Sequence, residues 1–126
     1  MPCEMFLLST GMACKLLTAR GQKVQLADGT VSNDKMHPRA DGAGVISHPS
    51  DGGWYYMSNS EASNGNGGVG SLRFDASGNV IGYERTLTGT NRNCGGGGSV
   101  SCLCLQCIIV IFSGFVIIHY LHLSSL

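Results

Sequence analysis

Six cysteines and four histidines are the residues whose chemistry depends most on spacing. Cys104-x2-Cys107 and His119-x2-His122 set out sulfur and nitrogen donors in the order a zinc finger uses. The 11 residues between the pairs and the short histidine spacing both fall outside the usual finger pattern, and the intervening stretch is apolar, which argues against zinc. Cys102, Cys104 and Cys107 stand where an apolar run begins. There they could accept palmitate, or serve as small apolar filler. Cys3, Cys14 and Cys94 lie in the polar part, odd in number and without framework spacing, so no redox compartment is selected. Cys94 opens the run Cys94-Gly95-Gly96-Gly97-Gly98, where by residue type alone it is an ordinary loop thiol. Glu61, read the same way, is a local cap or ion-pair partner.

The charges that would surround such residues are few and balanced. Eight basic and eight acidic side chains give a net charge of zero with His neutral. The basic residues are scattered singly, so nothing supplies the patch or stripe that nucleic acid requires. All sixteen charges lie at or before Arg92, and the last 34 residues carry none. Glycine is abundant, at 19 residues, without the three-residue period of collagen. At 126 residues the chain has room for one small domain at most.

The elements that must position these groups divide the chain into three parts. Residues 1–23 form an irregular lead-in. Glu4 and Lys15 spoil it as a secretion signal, since one sits where basic charge is expected and the other interrupts the apolar run. From Arg20 to Gly44 the composition is polar and turn-rich, with one short strand expected near Lys23–Leu26. The next stretch reads as four short strands: Val45–His48, Trp54–Asn59, Val69–Phe74 and Asn79–Leu87. Pro49-Ser50-Asp51-Gly52-Gly53 and Asp75-Ala76-Ser77-Gly78 are turn signals, and Ala62–Gly67 is a flexible loop. Trp54-Tyr55-Tyr56-Met57 is apolar on both faces, as an inner strand covered on both sides would be. The candidate core is Trp54, Tyr55, Tyr56, Met57, Leu72, Phe74, Ile81 and Tyr83. Thr88 to Gly98 reads as loop. The expected architecture is therefore mainly β: a blade-like antiparallel four-stranded meander, the unit of a β-propeller, followed by a C-terminal apolar helix. Neighbouring blades normally bury a blade's faces, so one alone is expected to be marginal.

Residues 99–126 are the apolar tail. Leu103 to Leu123 is 21 residues without a charge, close to the roughly 20 that span a bilayer as helix. With Arg85 and Arg92 upstream and nothing basic downstream, the positive-inside rule places the N-terminal part in the cytosol. This predicts a single C-terminal membrane span over 103–123. The β-branched runs Ile108-Ile109-Val110-Ile111 and Val116-Ile117-Ile118 pull the other way, because in water they favour β-aggregation.

Four blocks in order carry a family resemblance. They are His37-Pro38-x-x-Asp41-Gly42-Ala43-Gly44, Gly53-Trp54-Tyr55-Tyr56-Met57-Ser58-Asn59-Ser60-Glu61, Gly67-Gly68-Val69-Gly70-Ser71-Leu72-Arg73-Phe74-Asp75, and Leu87-Thr88-Gly89-Thr90-Asn91-Arg92-Asn93-Cys94-Gly95-Gly96-Gly97. From about Val24 to Gly97 the chain resembles the opening of the PhoX-type alkaline phosphatases, a β-propeller family that is largely secreted. That resemblance implies a partial propeller over 24–98 and a phosphate ester as substrate. It also implies a cofactor of iron and calcium in which Cys94 supplies a bridging thiolate, with Glu61 an acidic residue near the site. A thiolate is soft and charged, and a glycine-rich loop lets backbone approach a metal closely.

After Gly97 the chain departs from the family, which continues into a Trp-containing segment, a Cys-Glu-Glu block and later carboxylate ligands. One thiolate does not assemble a multi-metal site, so this chain alone is expected to be inactive. The abrupt break suggests a truncated product, such as one read through an unspliced intron or from an incomplete gene model. The alternative is a small tail-anchored membrane protein using the β segment as an interaction module.

Overall fold

The computed structural model describes residues 10–48, 50–98, 104–112 and 115–122. Its strands are β1 (Lys23–Gln25), β2 (Val31–Lys35), β3 (Ala40–Ser47), β4 (Trp54–Ser60), β5 (Gly67–Phe74), β6 (Val80–Thr90), β7 (Asn93–Gly98), β8 (Cys104–Phe112) and β9 (Phe115–His122). They form a two-stranded ribbon β1-β2, a four-stranded sheet β3-β4-β5-β6 and a three-stranded sheet β7-β8-β9, with every pairing antiparallel.

Turn chemistry sets the register of the central sheet. Between β5 and β6, the Asp75 carboxylate accepts the backbone N–H groups of Ser77 (2.9 Å) and Asn79 (2.8 Å). Gly78 takes φ 82°, which a side chain resists. Between β3 and β4, the Asp51 carboxylate accepts the Gly53 N–H at 3.0 Å, and the His48 N–H reaches the Gly53 carbonyl at 2.8 Å. These closures put Trp54 opposite Phe74 and Phe74 opposite Val80, and they align Tyr56, Leu72 and Tyr83 in the next row of the same face.

That face is the core. Leu72, Phe74, Val80 and Tyr83 are buried with Val24 of β1, and Leu17, Leu26, Met36 and Trp54 pack around them. Trp54 and Phe74 stack with ring centroids 5.3 Å apart. The β1-β2 ribbon is laid on the sheet by a backbone bond, Ala27 N–H to the Val80 carbonyl at 2.8 Å, and by a side-chain acceptor, the Asp34 carboxylate taking the Arg85 N–H at 2.8 Å. On the opposite face Met57, Asn59 and Val69 are buried where β7 crosses the sheet. Of the expected core, Tyr56 and Ile81 are instead exposed, because ribbon and β7 each cover only part of a face.

The four-stranded antiparallel sheet matches the sequence expectation, and three regions differ from it. β2 lies in the stretch read as turn-rich loop. β3 begins at Ala40, inside the glycine-rich segment read as a turn. β6 runs on to Thr90 and β7 starts at Asn93, so most of the loop expected over Thr88–Gly98 is strand. In β3 and β7 small residues serve close approach rather than turning: a Cβ on Gly96 would stand 2.8 Å from the Gly42 carbonyl carbon, so neither strand tolerates a side chain there. The lead-in shows turns and one bridge at Lys15 before β1, and its Cys14 is disulfide-bonded. Among the described residues there is no helix. Residues 104–112 and 115–122 are β8 and β9, and no described helix is long and apolar enough to cross a membrane.

Candidate functional site

The sheet brings the chemistry-bearing residues together at three places. The first is buried. His37 is 2 % exposed and lies between Tyr83, whose hydroxyl is 3.0 Å from Nδ1, and Ser58, whose hydroxyl is 3.0 Å from Nε2. The Tyr83 oxygen also accepts the His37 backbone N–H at 3.1 Å. Every proton is used once if Tyr83 donates to Nδ1 and the neutral ring donates from Nε2 to Ser58. Burial is the main force holding the His37 pKa below its ordinary value, the Arg85 charge adds to it, and a bond with the Asn59 backbone opposes it. Gly70 makes the arrangement possible, because a Cβ there would run into the His37 ring and the Tyr83 hydroxyl. Ser58 is 2 % exposed, so this Ser–His pair offers no nucleophile to a substrate. It is a structural core network, and nothing in the residue spacing pointed to it.

The second place is the β3–β4 turn, where Ser50, His48 and Asp51 are neighbours. The Ser50 hydroxyl (2.9 Å) and the Asp51 carboxylate (3.2 Å) both face the same ring nitrogen, His48 Nδ1. A nucleophilic relay needs its two partners on opposite nitrogens, so the cluster does not form one. Asp51 also pairs with Arg73, whose guanidinium lies 4.9 Å from the Tyr55 ring centroid.

The third place holds the residues expected to act. Cys94 is half-buried on β7 and pairs in register with Cys107 of β8. The Asn59 side-chain amide, buried on β4, donates to the carbonyls of Cys94 and Gly95. Asn93 is fully buried, donating to the Gly68 carbonyl at 3.0 Å and accepting the Thr90 hydroxyl at 2.6 Å. Ser60 donates to the Pro38 carbonyl at 2.8 Å, and the Glu61 N–H to the Arg39 carbonyl at 2.9 Å. Through these bonds and the Gly42–Gly96 contact, segments around residues 37–42, 58–61, 67–70 and 90–96 converge. Glu61 is half-buried at the end of β4 and makes no ion pair among the described residues. Among the described residues no three His, Cys, Asp or Glu side chains gather as a metal site would require. One thiolate and one carboxylate fall short of the donor set of an iron–calcium centre, so the residues present do not by themselves fit that cofactor.

Comparison with protein-family models, with curated proteins and with solved structures returns no match. The functional reading therefore rests on this chain's own residues. The polar residues that shape the third site, Asn59 and Asn93, carried no spacing signal of their own. Their burial without charge, each bonded to backbone far along the chain, is what marks them.

Proposed function

We propose that residues 24–98 are the opening, blade-like segment of a PhoX-like metal-dependent phosphatase, and that they supply one wall of its site without hydrolysing phosphate esters alone. One observation carries this reading: the four sequence blocks of the resemblance meet around Cys94, held there by Asn59, Asn93 and the Gly42–Gly96 approach. A loop fixed from two sides by buried amides presents its thiol from a preorganised backbone. Iron and calcium would then be held mainly by carboxylates contributed by other blades, with Cys94 as the thiolate and Glu61 as a neighbouring acid. The β3-β4-β5-β6 meander would be the blade, and β7 the passage to the next one.

The test is complementation. The full chain, co-expressed with the later blades of a PhoX-type phosphatase lacking its own first blade, should restore iron- and calcium-dependent hydrolysis of a phosphate monoester. Cys94→Ser should abolish the rescue. Failure to rescue, or rescue indifferent to Cys94, would remove the reading, as would activity of this chain by itself.

The uncharged run Leu103–Leu123 supports a second reading, a tail-anchored membrane protein whose β segment is an interaction module. Strand β9 is the edge of its sheet, and an open edge has no hydrogen-bond partners in hydrocarbon. In a bilayer the same residues would have to become helix. Membrane fractionation with resistance to carbonate extraction is the expected result, and complete carbonate release would end the idea.

A further inference from the structure

A cavity of about 420 Å³ opens beside the first corner of the sheet, lined by Pro38, Arg39, Ala62, Ser63, Asn64, Asn66 and Arg85. Two arginines and two asparagines are among the residues that line it, and no Asp or Glu is. Neither arginine makes an ion pair among the described residues. The Asp34 carboxylate is taken up by the Arg85 backbone N–H. The Arg85 guanidinium has only two long contacts, at 3.4 Å, from Nη2 to the Asn66 and Gly67 carbonyls, and its Nε is buried without a partner. A cation that is half-buried and so poorly paired is costly to keep unless something else neutralises it.

The rim adds a second feature. Arg39 (φ 50°) and Asn64 (φ 59°), both lining the cavity, are two of the three non-glycine residues at positive φ among the described residues. The third, Arg92 (φ 49°), braces the lining loop from outside, its backbone N–H bonding to the Ala62 carbonyl at 2.9 Å and its Nε to the Ser63 hydroxyl at 3.4 Å. Left-handed backbone at bulky residues persists where the surroundings hold it, and it clusters at ligand sites.

We propose that this cavity is an anion site for a tetrahedral oxyanion, either inorganic phosphate or the phosphate group of a small monoester, held between Arg39 and Arg85 with Ser63, Asn64 and Asn66 as neutral donors. A planar guanidinium suits such an oxyanion through paired N–H bonds, and the amide and hydroxyl groups of the loop complete the shell. The site includes neither Cys94 nor a metal, so it stands apart from the phosphatase reading.

The experiment is a calorimetric titration of the full chain in detergent, in excess EDTA, with inorganic phosphate, phenyl phosphate or acetate. Saturable binding is expected for phosphate or phenyl phosphate, with acetate at least about tenfold weaker. Which phosphate compound binds more tightly tells the free ion from the ester. Arg39→Gln and Arg85→Gln should each weaken binding by about tenfold or more, the loss expected when one charge-assisted partner goes. Lys23→Gln, on the β1-β2 ribbon and outside the cavity lining, should leave it unchanged. The near-ultraviolet signal of the Trp54–Phe74 stack reports whether each variant is folded. Arg39 is exposed on a connecting segment, so its variant keeps the test open should Arg85→Gln fail to fold. Non-saturable uptake, acetate binding equal to phosphate, or affinity unchanged in both arginine variants would overturn the proposal.

Discussion

The β3–β6 sheet and the β7–β9 sheet are both antiparallel, yet their sequences specify them by different means. In the first, turn carboxylates fix the ends, alternation fixes the faces, and a buried His–Tyr–Ser network admits only one register. In the second, β7 is fixed by glycine contacts and buried amides, while the β8 and β9 sequences are mostly β-branched and apolar, with Gln106, His119 and His122 the exceptions, and carry no Asp, Glu, Lys or Arg. Strand propensity alone produces strands but little uniqueness. A sheet built on specific polar contacts should break sharply when one is removed; a sheet built on propensity should tolerate exchange and respond mainly to its surroundings.

The largest expected effect is in the core of the first sheet. Leu72 is 6 % exposed among Val24, Phe74, Val80 and Tyr83, and Leu72→Ala should cost about 3 kcal/mol by the usual core-truncation range. Urea unfolding followed by Trp54 fluorescence measures it. The matching change in the tail, Ile111→Lys, should leave that unfolding curve within about 0.5 kcal/mol while adding about 3 kcal/mol to any membrane insertion. A shared loss of stability in both variants would mean that the two sheets fold as one unit, and the comparison would fail.

Next is Gly70→Ala, expected to destabilise by about 2 kcal/mol because its methyl would press on the His37 ring and the Tyr83 hydroxyl, neither of which has room to retreat. Combining it with Tyr83→Phe should give less than the sum of the two, since both act on the same bonds. Strict additivity would mean that the network is not one unit.

The sequence made some of this legible and hid the rest for identifiable reasons. Asp75-Ala76-Ser77-Gly78 named its own turn, and the strands expected at Trp54–Asn59 and Val69–Phe74 were readable from aromatic and β-branched content. β2, the start of β3 and β7 were not, because glycine and polar residues signal turns unless a partner strand makes close approach their purpose. Gly42 and Gly96 have that purpose only in each other's presence. The burial of Val24 and Val69 and the exposure of Tyr56 and Ile81 depend on where the ribbon and β7 lie, which composition does not encode. Cys94 could be singled out by resemblance, but the two arginines of the cavity stand on different strands and connections far apart in the chain, so no local pattern announces them.

The smallest effect separates the two sheets by pH. His37 is held neutral in the folded chain with its pKa below the ordinary 6.5, chiefly by burial and secondly by the Arg85 charge. A group whose folded pKa is depressed binds fewer protons folded than unfolded in the interval between the two values, so stability falls as pH drops below about 6.5 and is flat above it. Most groups facing the ring give the same sign, since Tyr83 would be left with two donors on one oxygen, Ser58 offers no negative charge, Arg85 repels the imidazolium and Asp34 is occupied by backbone; the bond with the Asn59 backbone opposes them only in part. His37→Gln should flatten the slope while keeping a donor toward Ser58, and its near-ultraviolet spectrum should stay native. A slope that survives His37→Gln would place the titrating group elsewhere and dissolve the link between the buried network and the register of the first sheet.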